Sequence, residues 1–167
     1  ITESSQPVHA LCRKMGVRKD GAVVVGTDLM LDPSYAALAN GTAAHSIELD
    51  DVVNAASLHP AVAVMPAALA AAHVADCTGQ DLIAAIVAGY EVTIRLGIAL
   101  DPSAHYAQGF HPTGTCGTMA AAVTADTDAA LLVTAKEVGD GSGIVEVTSP
   151  ENLSGGTTPS NYSTTLT

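Results

Sequence analysis

Two His-Pro dipeptides are the first places in this sequence where chemistry is expected: His59 precedes Pro60, and His111 precedes Pro112. Histidine titrates near neutral pH, so it can act as a general acid or a general base. A following proline biases a residue toward extended geometry and favours a loop-to-helix junction, where a side chain can face a cleft. We therefore take His59 and His111 as candidate catalytic residues. The alternative is that both are helix-entry residues bonded to the backbone.

An acidic stretch precedes the first of these histidines and contains Glu48, Asp50 and Asp51. These carboxylates could orient a histidine or bind a ligand hydroxyl, and the alternative is a solvated acidic helix end. Arg95 is the cation best placed to meet a substrate carboxylate, because guanidinium binds carboxylates in a bidentate geometry. All four are candidate substrate-binding residues. Tyr90, near Arg95 in the sequence, falls among apolar positions and is predicted to lie in the core.

The other histidines carry no catalytic motif. His45 lies one helical turn before Glu48 and is expected to pack against a helix or cap it. Three more histidines are expected at the surface: His9, His73 and His105.

Apolar periodicity with start and stop signals predicts five helices, at about residues 7 to 15, 34 to 46, 60 to 75, 78 to 100 and 117 to 125. The clearest start is Thr78-Gly-Gln-Asp81, a threonine cap followed three residues later by an acid. The β-branched residues 22 to 25 predict a short extended segment. Asp101-Pro102 is interpreted as a helix stop, with a loop from there to about Thr115.

Hydrophobic residues make up 48% of the chain, with one Phe, four Tyr and no Trp, so the core must be built from small aliphatic side chains. Such residues favour closely packed helices. In the third helix, one face is expected to pack inward through Val62, Met65, Leu69 and Ala72. In the fourth helix, the apolar run is Ile83, Ile86, Val87, Tyr90, Ile94 and Leu100.

The predicted fold class is mainly α: a bundle-like domain of small-residue helices with a short extended segment and a polar, irregular C-terminal tail. The helical domain is expected at residues 1–125 and a divergent, partly disordered tail at 126–167. Residues 142 to 167 contain eleven Ser or Thr. Within the tail, residues 129 to 133 could form a helix, and Ile144, Val145 and Val147 alternate as in a strand.

The formal net charge of −11, from seventeen acids and six Lys or Arg, opposes binding to nucleic acid or to an anionic membrane. Three widely spaced cysteines predict neither a disulfide framework nor a zinc site. The chain shows no signal-peptide pattern, and no uninterrupted apolar stretch reaches the roughly 18 residues of a membrane span. We therefore expect a soluble, cytoplasmic protein without nucleic-acid or membrane partners.

Four motifs occur in order along the chain: the run Ala39-Asn-Gly-Thr-Ala-Ala-His-Ser-Ile-Glu-Leu-Asp-Asp51, then His59-Pro60, Gly89-Tyr-Glu-Val92 and Gly109-Phe-His-Pro-Thr-Gly114. With this set, the chain resembles the MmgE/PrpD family. The resemblance covers only the first part of the large helical domain that, with a smaller α/β domain, makes up a family member. The tail from Asp126 onward departs from the family pattern.

The family includes 2-methylcitrate dehydratases, cis-aconitate decarboxylases and an iminodisuccinate epimerase. The resemblance implies a lyase acting on a small polycarboxylic acid by dehydration or decarboxylation, with His59 and His111 as acid/base residues and no cofactor. A metal site built from His45, Glu48, Asp50, Asp51 and His59 is chemically conceivable. We expect no metal there, because the family uses none.

Two departures from the family weigh against a complete site. Val52 stands where the family usually has threonine, so a hydroxyl is replaced by methyl groups. The segment that supplies an active-site lysine has no recognisable counterpart, and six cations are few for a polyanionic substrate. Two alternatives therefore stay open, an epimerase of the same family and a noncatalytic fragment that acts through self-association. Helices left without packing partners would expose apolar surface, so a homodimer is predicted.

Overall fold

The computed structural model describes residues 2–125 in full and, beyond them, the backbone of three strands. After a short 3₁₀ turn, Glu3–Ser5, the elements up to residue 125 are α1 (Gln6–Gly16), β1 (Val17–Val23), β2 (Met30–Leu31), α2 (Pro33–His45), α3 (Ala61–Ala75), α4 (Gly79–Ala99), α5 (Pro102–Ala107) and α6 (Pro112–Ala125). The later strands are β3 (Leu132–Glu137), β4 (Gly143–Thr148) and β5 (Ser163–Thr165). The mainly helical fold class is confirmed.

Helix α3 is the central element, because it contacts α2, α4 and α6, while α4 also packs along α6. Their contacts are lined by small residues. A side chain added at Gly89 would collide with Thr124 and Val64, and one added at Gly97 would collide with Leu58. The helices therefore approach as closely as the Ala- and Gly-rich composition predicted.

A second part of the core lies where α1 and α2 meet the β1–β2 hairpin. The strands pair antiparallel, with Ala22 opposite Leu31, and Gly26 takes a positive φ in the connecting turn. Cys12, Ala22 and Leu31 are buried together with alanines of α2 and α3. The extended segment predicted at residues 22 to 25 is thus the end of a strand that begins earlier, at Val17.

The loop predicted from Asp101 to Thr115 is wrong, because α5 and the first turn of α6 lie there. Asp101-Pro102 starts a helix: its carboxylate accepts hydrogen bonds from the backbone N–H groups of Ser103 and Ala104. Asp32-Pro33 starts α2 with the same arrangement. The acid accepts a hydrogen bond from a backbone N–H that has no partner within the helix, and the proline ring fixes a helical φ angle at the first position. The Asp-Pro pair therefore signals the start of a helix.

The faces predicted to be buried on α3 and α4 are also wrong in part. Met65 and Leu69 are 37% and 39% exposed, and Ile83 and Val87 are 63% and 56% exposed. The buried strip of α4 is instead Gly89, Val92, Thr93 and Gly97. At such short separations between helices only small side chains fit, so the larger apolar ones are displaced outward.

By length and composition alone, α4 could cross a membrane, with a mean hydropathy of 1.7 in its most apolar stretch. One such helix is weak evidence, since core helices of soluble proteins pass the same test. Among residues 2–125 it is the only helix of this kind. The absence of a membrane partner stays a prediction.

Strands β3, β4 and β5 form an antiparallel sheet in that order. The strand predicted around Ile144 lies in β4, whereas Leu132 and Val133, predicted to be helical, lie in β3. The remaining residues predicted to belong to the tail lie outside the described residues.

Candidate functional site

The loop between α2 and α3 carries most of the predicted site residues. Glu48 and Ser57 both have positive φ angles, 53° and 48°, so the loop turns sharply at the first acid and again just before His59. Val53 and Leu58 pair across the loop in an antiparallel bridge. Leu58 and Pro60 are fully buried, so His59 is anchored between two core residues at the entrance to α3.

Asp50 brings two histidines together. One carboxylate oxygen, Oδ2, lies 2.9 Å from His45 Nδ1 and 3.1 Å from His59 Nδ1. The Asp50 side chain is only 5% exposed, and the two imidazole rings are 4.9 Å apart between centroids. Glu48, on the exposed side, places Oε2 3.9 Å from His59 Nε2. The structure thus joins the predicted residues Glu48, Asp50 and His59 with His45, which was predicted to pack or cap a helix and was named with them only as part of a conceivable metal site.

Hydrogen bonding within this cluster is incomplete. His45 Nδ1 donates to Asp50 in good geometry. His59 Nδ1 is close to the same oxygen, but among the described residues it makes no aligned hydrogen bond, and Asp50 Oδ1 has no partner there either. Buried polar atoms are normally paired, so both atoms are available to a ligand.

Thr113 connects His59 to His111. Its hydroxyl accepts the backbone N–H of His59 at 3.0 Å, and its own backbone N–H donates to His111 Nδ1 at 3.2 Å. A neutral His111 whose Nδ1 accepts a hydrogen bond must carry its proton on Nε2. Nε2 lies 3.2 Å from the Tyr106 hydroxyl. His111 itself is exposed, as a proton donor to a ligand needs to be.

Thr113 and Tyr106 were not among the site residues predicted from the sequence. Thr113 lies within the quoted Phe-His-Pro-Thr motif, two residues after His111, and that position was a signal for it. Tyr106 lies on α5, a helix that the sequence analysis took for a loop, so its approach to His111 had no basis in the pattern.

Asp51 and Tyr90 form a separate link between α3 and α4. Asp51 accepts the backbone N–H of Ala61 at 3.1 Å and the Tyr90 hydroxyl at 2.8 Å. Burial, followed by the hydrogen bond to Asp51 and its charge, raises the pKa of Tyr90 to about 12. Both Asp51 oxygens therefore have protein partners, and its role in substrate binding stays a prediction.

Arg95 is not brought to the histidines. Its Nε donates to Glu91 at 2.7 Å in an exposed pair one turn apart on α4. The other arginine with an ion pair in the described part of the chain, Arg18, binds Asp20 and Asp32. No ion pair in that part joins an arginine or lysine to the cluster around Asp50.

One surface prediction among the histidines is wrong. His9 is 6% exposed, and its Nε2 lies 3.0 Å from the carbonyl oxygen of Ala39. It occupies the inner face of α1, where a single bond to α2 satisfies one nitrogen. His73 is exposed as predicted, and His105 is half-buried beside Thr115.

Comparison with known proteins identifies the family that this chain matches. The model of the MmgE/PrpD N-terminal domain matches residues 2–141. The human cis-aconitate decarboxylase is 36% identical over 102 residues, which are 59% of this chain and 21% of that protein. A cis-aconitate decarboxylase-like protein of Aspergillus oryzae is 35% identical over 59% of this chain and 22% of its own length. The cis-aconitate decarboxylase of Aspergillus terreus is 34% identical over 60% of this chain and 21% of its own length. The chain thus spans about a fifth of the length of these relatives.

Proposed function

Because the chain belongs to the MmgE/PrpD family through its N-terminal domain, we propose that it supplies the histidine acid/base part of a lyase site for a small polycarboxylic acid. Decarboxylation of a cis-aconitate-like acid is the favoured reaction, since the relatives named above are described as cis-aconitate decarboxylases or similar to one. Dehydration of a hydroxy acid is the close alternative within the same class.

The observation that carries this proposal is the connection of both candidate histidines to one buried threonine. Thr113 is 9% exposed and bonds to the backbone of His59 and the ring of His111. Two acid/base groups fixed relative to each other can act on one bound molecule, because proton transfer requires hydrogen-bond distances.

Their environments suit different roles. His59 Nδ1 faces the Asp50 carboxylate, which balances the charge of a protonated ring, while Nε2 points toward the side of exposed Glu48. His111 presents Nε2–H in its neutral form. In a decarboxylation the bond to CO₂ breaks, its electron pair stays on the substrate carbon, and a histidinium returns one proton to the carbon skeleton. In a dehydration one imidazole takes a proton next to a carboxylate and the other protonates the departing hydroxyl.

Substrate carboxylates require cations, and the described ion pairs place none at the cluster. The charge of −11 adds repulsion. The proposal therefore assigns these residues a share of a site and not the whole of it. We expect turnover by the chain alone to be slow, and deuterium exchange into a bound acid to be the more sensitive signal.

The test is proton NMR in heavy water with cis-aconitate, 2-methylcitrate or iminodisuccinate, comparing the unchanged chain with His59→Ala and His111→Ala. His73→Ala is the matched control, because His73 is exposed and lies outside the cluster. Conversion or exchange that disappears in both site variants and persists in the control would support the lyase. Exchange without net conversion would favour an epimerase, and signals equal in all four proteins would remove the histidines from the chemistry.

A second candidate function is self-association without catalysis. Ile83, Val87 and Ile98 are exposed on α4, at 63%, 56% and 53%. An apolar face of this kind is typical of an interaction surface. We propose a second copy of the chain as its partner, in keeping with the expected homodimer, and no catalytic role is needed for that function.

A further inference from the structure

The family resemblance implies metal-free chemistry, so no metal was expected here; from the geometry we nevertheless propose that His45, Glu48, Asp50 and His59 bind a divalent transition-metal ion, with Zn²⁺ as the representative ion. Each residue offers one ligand atom, and these atoms lie within 4.8 Å of one another. Two imidazoles and two carboxylates are a donor set suited to Zn²⁺ and related first-row ions. In sequence three of the residues lie within six positions, and the turn at Glu48 returns the chain so that His59 joins them.

The spacing of the donors is close to what a tetrahedral site needs. Zinc bonds to histidine and carboxylate are about 2.0–2.2 Å, so ligand atoms lie roughly 3.3 Å apart. Asp50 Oδ2 is 2.9 Å from His45 Nδ1 and 3.1 Å from His59 Nδ1. Glu48 Oε2 lies 3.9 Å from His59 Nε2, on the other side of the ring from the Nδ1 atom that faces Asp50, and one ion can use only one of these nitrogens. Because Glu48 is 70% exposed, a rotation of its side chain can bring its carboxylate toward Nδ1.

A second observation points to a missing ligand. Asp50 has a side chain 5% exposed, yet its Oδ1 has no hydrogen-bond partner in the described part of the chain, and neither does His59 Nδ1. A cation between them would satisfy a carboxylate and an imidazole at once. The charge is also favourable, since two carboxylates lie beside the two imidazole rings and no arginine or lysine among residues 2–125 pairs with them.

Metal binding would oppose the acid/base role of His59. A ring nitrogen that coordinates a metal has no lone pair left for a proton, and the bound cation also disfavours a proton on the second nitrogen, so the ion would act as an inhibitor of the lyase. This consequence rests on the proposed function, whereas the binding itself does not.

The test is calorimetric titration with ZnCl₂ and, separately, the visible absorption of added Co²⁺, without any substrate. A Cys77→Ser background removes the partly exposed thiol. We expect one equivalent to bind, with an intense tetrahedral Co²⁺ band. In this background His45→Ala and Glu48→Gln should each weaken binding at least tenfold, while His73→Ala leaves it unchanged.

Glu48→Gln keeps the test decisive if His45→Ala fails to fold, because the Glu48 side chain is 70% exposed and glutamine keeps its size. Binding that is unaffected by Glu48→Gln, or absent in the parent chain, would overturn the metal site. The calorimetric and absorption measurements do not depend on catalysis, so an inactive chain that binds Zn²⁺ would contradict only the proposed function.

Discussion

At the scale of single residues, the candidate site depends on side chains whose role is to hold the histidines in place. Thr113 contributes no acid or base, but its two hydrogen bonds hold His59 and His111. Asp50 does the same for His45 and His59 through one oxygen. The reactive groups are therefore positioned by polar atoms that are themselves buried, where hydrogen bonds have the fewest competitors.

Replacing Thr113 with valine removes the acceptor of the His59 N–H while keeping the shape of the side chain. An unpaired buried donor costs about 1–3 kcal/mol, so we expect the free energy of unfolding to fall by that amount in urea titrations. Thr118→Val is the control on the same helix, because the exposed Thr118 hydroxyl donates to the carbonyl of Gly114, one turn earlier on that helix. An equal loss of unfolding free energy in both variants would mean that the bond from His59 to Thr113 does not stabilise the fold more than an exposed hydroxyl does.

Tyr90 gives a prediction about pH. Its folded pKa of about 12 lies above the ordinary value of 10.0, so the folded state holds the proton more tightly. The resulting stabilisation is fully present below pH 10 and is lost as the pH rises through 12. Phenolate absorbance during a pH titration should show one tyrosine ionising near pH 12, and this step should vanish in Tyr90→Phe. Tyr35→Phe is the control, and it should leave the late step in place.

At the scale of elements, the start of α4 depends on local sequence signals, whereas its buried face depends on packing against other helices. Its start is set by neighbours in sequence: the Thr78 side chain accepts the Asp81 N–H, and Asp81 accepts the Thr78 N–H. The Thr78 hydroxyl also donates to the Asp81 carboxylate at 2.7 Å, and this bond, followed by that of the Thr78 N–H, holds the pKa of Asp81 below its ordinary value. Its buried strip, by contrast, is set by α3 and α6, which allow only small side chains such as Gly89 to face them.

Breaking the capping box should destabilise the chain. Thr78→Ala is expected to cost about 1 kcal/mol in the free energy of unfolding. Because the Asp81 pKa is lowered in the fold, its contribution is present above the unfolded pKa and lost as the pH falls through the folded one. Stability measured across acid pH should therefore change less steeply in Thr78→Ala. Thr78→Ser keeps the acceptor and should resemble the unchanged chain; a loss as large as that of alanine would contradict the cap.

The close approach of α4 to its neighbours predicts opposite effects for one substitution at two glycines. Gly89→Ala would press a methyl group onto Thr124 and Val64, and overpacking typically costs about 1–3 kcal/mol. Gly79→Ala meets open space at the first helical position and should be neutral or slightly stabilising. Thermal unfolding of both variants checks this, and a Gly89→Ala chain as stable as its parent would show that the helices can separate freely.

At the scale of the whole molecule, the domain buries small residues and exposes large ones. Leu49, Ile83 and Val74 are 83%, 63% and 67% exposed, whereas the fully buried set contains mainly Ala, Val and Cys. Apolar surface of this extent is covered in most stable proteins. The proposed homodimer would cover the α4 part of it.

Self-association through α4 is tested by charge. Ile83→Glu combined with Val87→Glu places two like charges on the exposed face of a chain that already carries −11. We expect the sedimentation velocity of the double variant to correspond to a monomer at concentrations where the unchanged chain forms dimers. Thr118→Glu adds charge on α6 and should leave the dimer in place. An unchanged chain that is monomeric at every concentration tested would contradict the homodimer.

The sequence by itself determined the helical class, the capping box at Thr78 and the family to which the chain belongs. These depend on neighbours within a few positions or on ordered motifs, which a linear pattern contains. It also identified His59 and His111 as candidates for acid/base chemistry. Their catalytic roles remain a prediction.

Only the tertiary structure decided which faces are buried and which residues meet. Periodicity marks Ile83 and Val87 as apolar, but the close approach of α3 and α6 admits Gly89 instead, and that of the loop before α3 admits Gly97. His45 joins Asp50 because the loop turns back at Glu48, and Thr113 meets His59 across fifty-four positions of the chain. Contacts between distant residues arise from how helices pack, and this is why composition and spacing alone could not supply them.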